Sequence, residues 1–483
     1  MIRSYGEVMP SRARVLVVAL TAAVSLAACT ASVVGDGGAL HTVAEPAPRT
    51  EPSPDQAGSG CPDPRAEPSA DRPRIDLEFT LSGDGRTVTG TERVSFTPDR
   101  PVDELVFRLT ANQPLSVTGG NGIEVGDVSG ADVRDFDFES AGAAPGTQGG
   151  LLVVRLDRSL PAGGTTDVTI DFELRLGEST FDRFGADDRL SWWGSGHPLL
   201  AWEPGVGWAD EPLGDSPGET AASPVAETRV QVTAPAGREV VMTGGARRVA
   251  SAGAADVWRS EETAARDVAV AVGSLDVAAA HAGDTRVTLA GRSGLDIETL
   301  LSRTIETIGE LEAFFGPFPY STVSVVDLGA RGGGVEYPSM ILLADPSDLV
   351  LVHEIAHMWF YGMVGDHQGR DPWLDEAFAT YAEALVNGPP DDLDGRLGLP
   401  LPVGQPIDDF STVDDYFDTV YGKGSAMLLA ARAVAGTDAF DAALRCYVDA
   451  LAWQIATPAD VAAAFAELPA ALRVLQDAGA LPR

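Results

Sequence analysis

His353-Glu354-Ile355-Ala356-His357, followed after eighteen intervening residues by Glu376, is the part of this chain best suited to chemistry. Two histidines four apart on a helix share one face, a turn apart, so both imidazoles can close on a single metal ion. Glu354 stands about 100° further round, where it can reach a metal-bound water without being a ligand. Glu376 opens the next helical stretch and supplies a third ligand. Three protein ligands plus a water make a catalytic zinc site, whereas a structural site is closed by four. Burying these ionisable groups in so apolar a segment would be costly without a metal.

The elements that must hold these residues can be read around them. Asp345-Pro346-Ser347-Asp348 is a helix-start signature, and the apolar run from Leu349 predicts a buried helix ending near Gly362. Upstream, Ile297, Leu300, Leu301, Ile305, Ile308, Leu311 and Phe315 recur at helical spacing, which predicts a helix over 296–315 stopped by Gly316-Pro317. Thr322 to Leu328 reads as a strand, then the glycines 332–334, and a second apolar strand runs to Leu343. From Asp371 the chain is helical, with loops near 388–412. The region 278–483 therefore reads as a mixed α/β domain with a helical C-terminal end. Before it, 72–277 holds short alternating segments separated by Gly, Pro and Asp turns, the pattern of an all-β domain without a helix-period stretch.

The N-terminus reads as a targeting segment. Arg12 and Arg14 precede an apolar stretch, Val15 to Ala28, too short to span a bilayer stably. Leu26-Ala27-Ala28-Cys29 resembles a bacterial lipobox, which implies a signal peptide over 1–28 and a lipid anchor on Cys29. Residues 29–71, rich in Pro, Gly, Ala and Ser, read as a disordered tether. The expected location is outside the cytoplasm, at the cell membrane, or secreted if Cys29 is not lipidated. There Cys61 and Cys446 can either pair or remain two separate thiols. A net charge of −37 and a pI near 4.3 exclude a nucleic-acid surface. Composition says nothing of oligomeric state.

The motif and its surroundings resemble the M1 family of zinc aminopeptidases. The resemblance rests on H-E-x-x-H with Glu376 inside Trp373-Leu374-Asp375-Glu376-Ala377, on Phe314-Phe315-Gly316-Pro317-Phe318-Pro319-Tyr320, on Gly333-Gly334-Val335-Glu336-Tyr337 at the place of the family's Gly-Ala-Met-Glu-Asn, and on Tyr421-Gly422-Lys423-Gly424 at that of Tyr-x-Lys-Gly. It implies a thermolysin-like catalytic domain binding one Zn²⁺ through His353, His357 and Glu376. Glu354 would be the base and Tyr421 the oxyanion donor. Glu336, with Gly333 and Gly334 admitting a backbone close by, would hold the substrate's free amine. Glu383, two turns along the face of Glu376, is the candidate to orient a liganding imidazole, with Thr380 a weaker one.

The chain departs from the family pattern at Val335 and Tyr337, and at Asp375, where Asn is usual and no chemistry is assigned. The stretch after Glu376 is too short for the large helical domain of many members, which implies a more open cleft. The amine-contacting residue of the β domain is best sought in Trp202 to Pro212, with Glu203, Asp210 and Glu211. Removal of N-terminal residues from peptides is the leading reading. An endopeptidase or oligopeptidase with the same site, and an inactive peptide-binding surface lipoprotein, are the alternatives.

Overall fold

The computed structural model describes Cys61 and residues 64–483, apart from 179–182, 213, 215–221 and 330–331. The expected signal peptide, the lipobox-like segment with Cys29 and most of the expected tether lie outside the described residues. Alternation in Arg74–Leu81 and Thr87–Phe96 buries every second side chain, and the two strands pair antiparallel. They sit within a seven-stranded sheet, accompanied by two four-stranded sheets. Phe79, Phe96, Phe107, Leu152 and Trp193 belong to the core between them. A 3-10 turn at Thr110–Asn112 and a helix at Pro114–Thr118 interrupt the strands, against the reading of an uninterrupted β region. A five-residue helix is too short to leave a 3.6-residue period in the sequence.

From Asp276 onward five strands form one sheet, in the order Asp276–Ala282, Thr285–Gly291, Thr322–Asp327, Met340–Leu343, Gly334–Tyr337. Gly334–Tyr337, read from sequence as lying just before a strand, is itself the edge strand and pairs antiparallel with Met340–Leu343. The helix Ile297–Phe315 begins where the Asp296 side chain accepts from Thr299 N (3.2 Å), and it ends at Gly316, whose φ is +86°. Its apolar face joins a core with the metal-motif helix and the C-terminal helices. A smaller cluster, including Trp192, Val241, Val326, Val335, Tyr337 and Met340, joins the β-rich half to this sheet.

Cys61 and Cys446 form a disulfide with Cα atoms 5.2 Å apart. Arg65 Nε lies 2.8 Å from Asp449 Oδ1, and Ala66 N donates to Asp449 O at 2.9 Å. The last stretch of the expected tether is thus held against the C-terminal helix Thr437–Ala450. Among the described residues no helix is long and apolar enough to cross a membrane.

Candidate metal centre

The motif helix runs Asp348–Ala356, shorter than its apolar pattern predicts. Past Ala356 the bonding changes. Met358 N and Trp359 N donate to Ile355 O and Ala356 O, while Gly362 N, Met363 N and Val364 N reach five residues back. Tyr361 takes φ +91°. Apolar burial continues through this stretch, so the pattern looks helical where the backbone is not. The irregular turn brings Phe360 O to 3.1 Å from His357 Nδ1.

Both imidazoles point Nε2 at one carboxylate oxygen: Glu376 Oε2 lies 3.0 Å from His353 Nε2 and 3.4 Å from His357 Nε2. The opposite nitrogens are engaged. His353 Nδ1 is 2.7 Å from Glu383 Oε1, and His357 Nδ1 faces the Phe360 carbonyl. Both Nδ1 partners are acceptors, so with a metal bound each Nδ1 would keep the proton and each Nε2 would be the ligand atom. All four side chains are buried. Two imidazole nitrogens and one carboxylate oxygen, oriented from behind, fit Zn²⁺. Glu376 is positioned because the Asp375 side chain accepts from its backbone N (2.6 Å), starting the helix Glu376–Asn387.

Glu354 lies beside this group, and its Oε2 is buried without a hydrogen-bond partner. Burial, against the pull of His353 and His357 and with the push of Glu336, raises it to about 7. The edge strand passes close by: a Cβ on Gly334 would stand 2.4 Å from the Glu354 carboxyl. Glu336, two residues along, brings a carboxylate oxygen within 4.8 Å of ligand atoms of Glu354 and His357. Val335 and Tyr337 pack into the cluster joining the two halves of the protein, and the Tyr337 hydroxyl accepts from Arg183 Nη1 at 3.4 Å. Strand alternation therefore puts the two departures from the family motif on the face away from Glu336.

Tyr421 lies in a π-helical stretch, Phe417–Lys423. Its ring stacks on His353 with centroids 5.7 Å apart, and its hydroxyl donates to Glu376 Oε1. Burial and the Glu376 charge hold it well above the usual phenol range, so it stays a donor. Lys423 Nζ donates to Leu401 O, and Gly424 lies close to Ala377.

Other expected residues are placed differently. The Gly333 carbonyl accepts from Ala344 N and Asp345 N and is spent on its own chain. Thr380 Oγ1 has no partner among the described residues. Glu203 accepts Arg370 Nη2 through both oxygens, at 2.9 and 3.0 Å. Glu211 Oε2 lies 3.1 Å from His367 Nε2. Sequence reasoning passed over Gln368, whose buried amide reaches both Glu336 and Asp375. The polar run Gly365 to Asp371, directly after the apolar helix, was the signal available.

A buried His-His-Glu group that can hold a metal ion, a carboxylate beside it and a sheet edge alongside make up the site. No family model matches the chain. Over 185 residues it is 31% identical to an aminopeptidase N of Lactobacillus helveticus, covering 31% of this chain and 22% of that protein. Over 239 residues it is 26% identical to aminopeptidase M1-A of Oryza sativa subsp. japonica, covering 41% and 27%. The chain thus spans only about a quarter of the length of these curated relatives. An M1 zinc metallopeptidase from Deinococcus radiodurans shares its fold, with a TM-score of 0.65 at 20% identity over 88% of this chain and 99% of that one. A variant of that protein bound to a Tyr-Ser-Ala substrate matches at 0.64. The chain thus shares its fold with an M1 zinc metallopeptidase and stretches of sequence with M1 aminopeptidases.

Proposed function

We propose that this protein removes N-terminal residues from peptides by zinc-dependent hydrolysis, outside the cytoplasm. The observation that carries this reading is the convergence of Glu336 and Glu354 on His357 beside the three-ligand group. Zinc, when bound, supplies Lewis-acid polarisation of the scissile carbonyl and acidifies a water. Glu354, buried and without a partner at Oε2, accepts the proton of the attacking water and returns it to the leaving amine. Tyr421 donates to the developing oxyanion, exchanging Glu376 for the substrate oxygen. The edge strand Gly334–Tyr337 offers backbone groups to an extended peptide. Glu336 on that strand pairs with the free α-ammonium and fixes the first residue in register.

In this reading 278–483 is the catalytic domain and 72–277 the supporting β domain. The Cys61–Cys446 disulfide supports an oxidising location, and an anchor at Cys29 would hold the enzyme at the membrane. The test is hydrolysis of a free peptide and its N-acetylated form, with and without a chelator. The free peptide should be favoured by more than roughly tenfold in kcat/KM, the scale of a lost charge-assisted hydrogen bond, and chelation should abolish turnover. Chelator-resistant turnover would sink the zinc reading. Equal cleavage of both peptides would make the protein an endopeptidase.

A further inference from the structure

Gln368 is buried, and its amide nitrogen stands between two carboxylates: 3.3 Å from Glu336 Oε1 and 3.2 Å from Asp375 Oδ2. An amide has two N–H groups, so both are used. Asp375 is itself fixed, since its Oδ1 accepts from Glu376 N. The backbone around Gln368 is pinned from several sides. Gly365 N donates to Gln454 O, Ile407 N to Gly369 O, and Arg370 forks onto Glu203. The amide therefore reaches Glu336 from a held position and ties it to the residue that starts the ligand helix.

We propose that Gln368 is a positioning residue: it holds Glu336 Oε1 so that the other carboxylate oxygen faces the substrate's α-ammonium, linking amine recognition to the Asp375–Glu376 junction. This rests on the aminopeptidase reading of Glu336. One further feature supports it. Glu336 sits on an edge strand of only four residues and needs an outside contact to fix its side chain.

The experiment is a double-mutant cycle with Gln368→Leu, Glu336→Ala and the double variant, each checked for zinc content. KM and kcat are measured on a free peptide and on its N-acetylated form. Gln368→Leu should raise KM for the free peptide roughly tenfold, as one hydrogen bond to a charged group is lost, and leave the acetylated peptide and kcat nearly unchanged. In the Glu336→Ala background it should change KM no further. A loss of kcat shared by both peptides, or full additivity with Glu336→Ala, overturns the proposal and leaves Gln368 a packing residue. If Gln368→Leu does not fold, Gln368→Asn keeps the amide but shortens its reach; it should raise the same KM, and an unchanged KM overturns the proposal. Wild-type protein that cleaves both peptides equally overturns the amine reading itself, a result read before any variant is made.

Discussion

Glu354 Oε2 is buried and has no hydrogen-bond partner among the described residues, which suits a group that must receive a proton. Glu354→Gln keeps the size and loses the acceptor. It should retain zinc by metal analysis and lose at least about 10²-fold in kcat, the lower end for a removed general base. Glu383 acts one bond further out. Removing it by Glu383→Ala leaves His353 Nδ1 without its acceptor, and zinc affinity should fall roughly 10- to 100-fold in a chelator competition. That His353 and His357 meet was legible because helix geometry converts a spacing of four into proximity, and that Glu383 shares a face with Glu376 because seven residues return to it. Gln368 was not: its partners come from the edge strand and from the start of the ligand helix, and no local period joins the three.

The strand Gly334–Tyr337 and the helix Asp348–Ala356 pack together, and at Gly334 the backbone comes up against the Glu354 side chain. Gly334→Ala would drive a methyl into the Glu354 carboxyl, 2.4 Å away. The folded protein and its zinc should survive, while kcat should drop on the order of 10²-fold, as expected when a catalytic group is displaced by about 1 Å. A circular dichroism melt beside the kinetics separates this from unfolding. At this scale the sequence was informative wherever a period was sustained, as in Ile297–Phe315. It was silent where the same residue types serve a different backbone. The apolar run beyond Ala356 leaves the helix through bonds reaching three and five residues back, and Phe417–Lys423 winds as a π-helix. Neither changes which side chains are buried, so hydrophobic pattern cannot distinguish them from an ordinary helix.

Across the whole molecule, charge buried in the β-rich half ties stability to pH. His197 lies 3.4 Å from Glu92 and 3.7 Å from Asp267, all three buried. Burial opposes the charged imidazole, but the two carboxylates outweigh it and hold His197 protonated up to about 10. A folded pKa above the unfolded 6.5 contributes stability that is complete below pH 6.5 and is lost as pH rises towards 10. His197→Gln should therefore melt below the wild type at pH 6, and the gap should close steadily towards pH 10. A gap independent of pH would show that His197 is neutral in the fold. The disulfide adds a different kind of constraint. Cys61 and Cys446 are 385 positions apart, so this one bond turns almost all of the described chain into a covalent ring. A ring has no free end to peel away, and one cut does not divide it. A protease that opens a single surface loop should leave two fragments that migrate as one band on a denaturing gel and part only after a thiol is added.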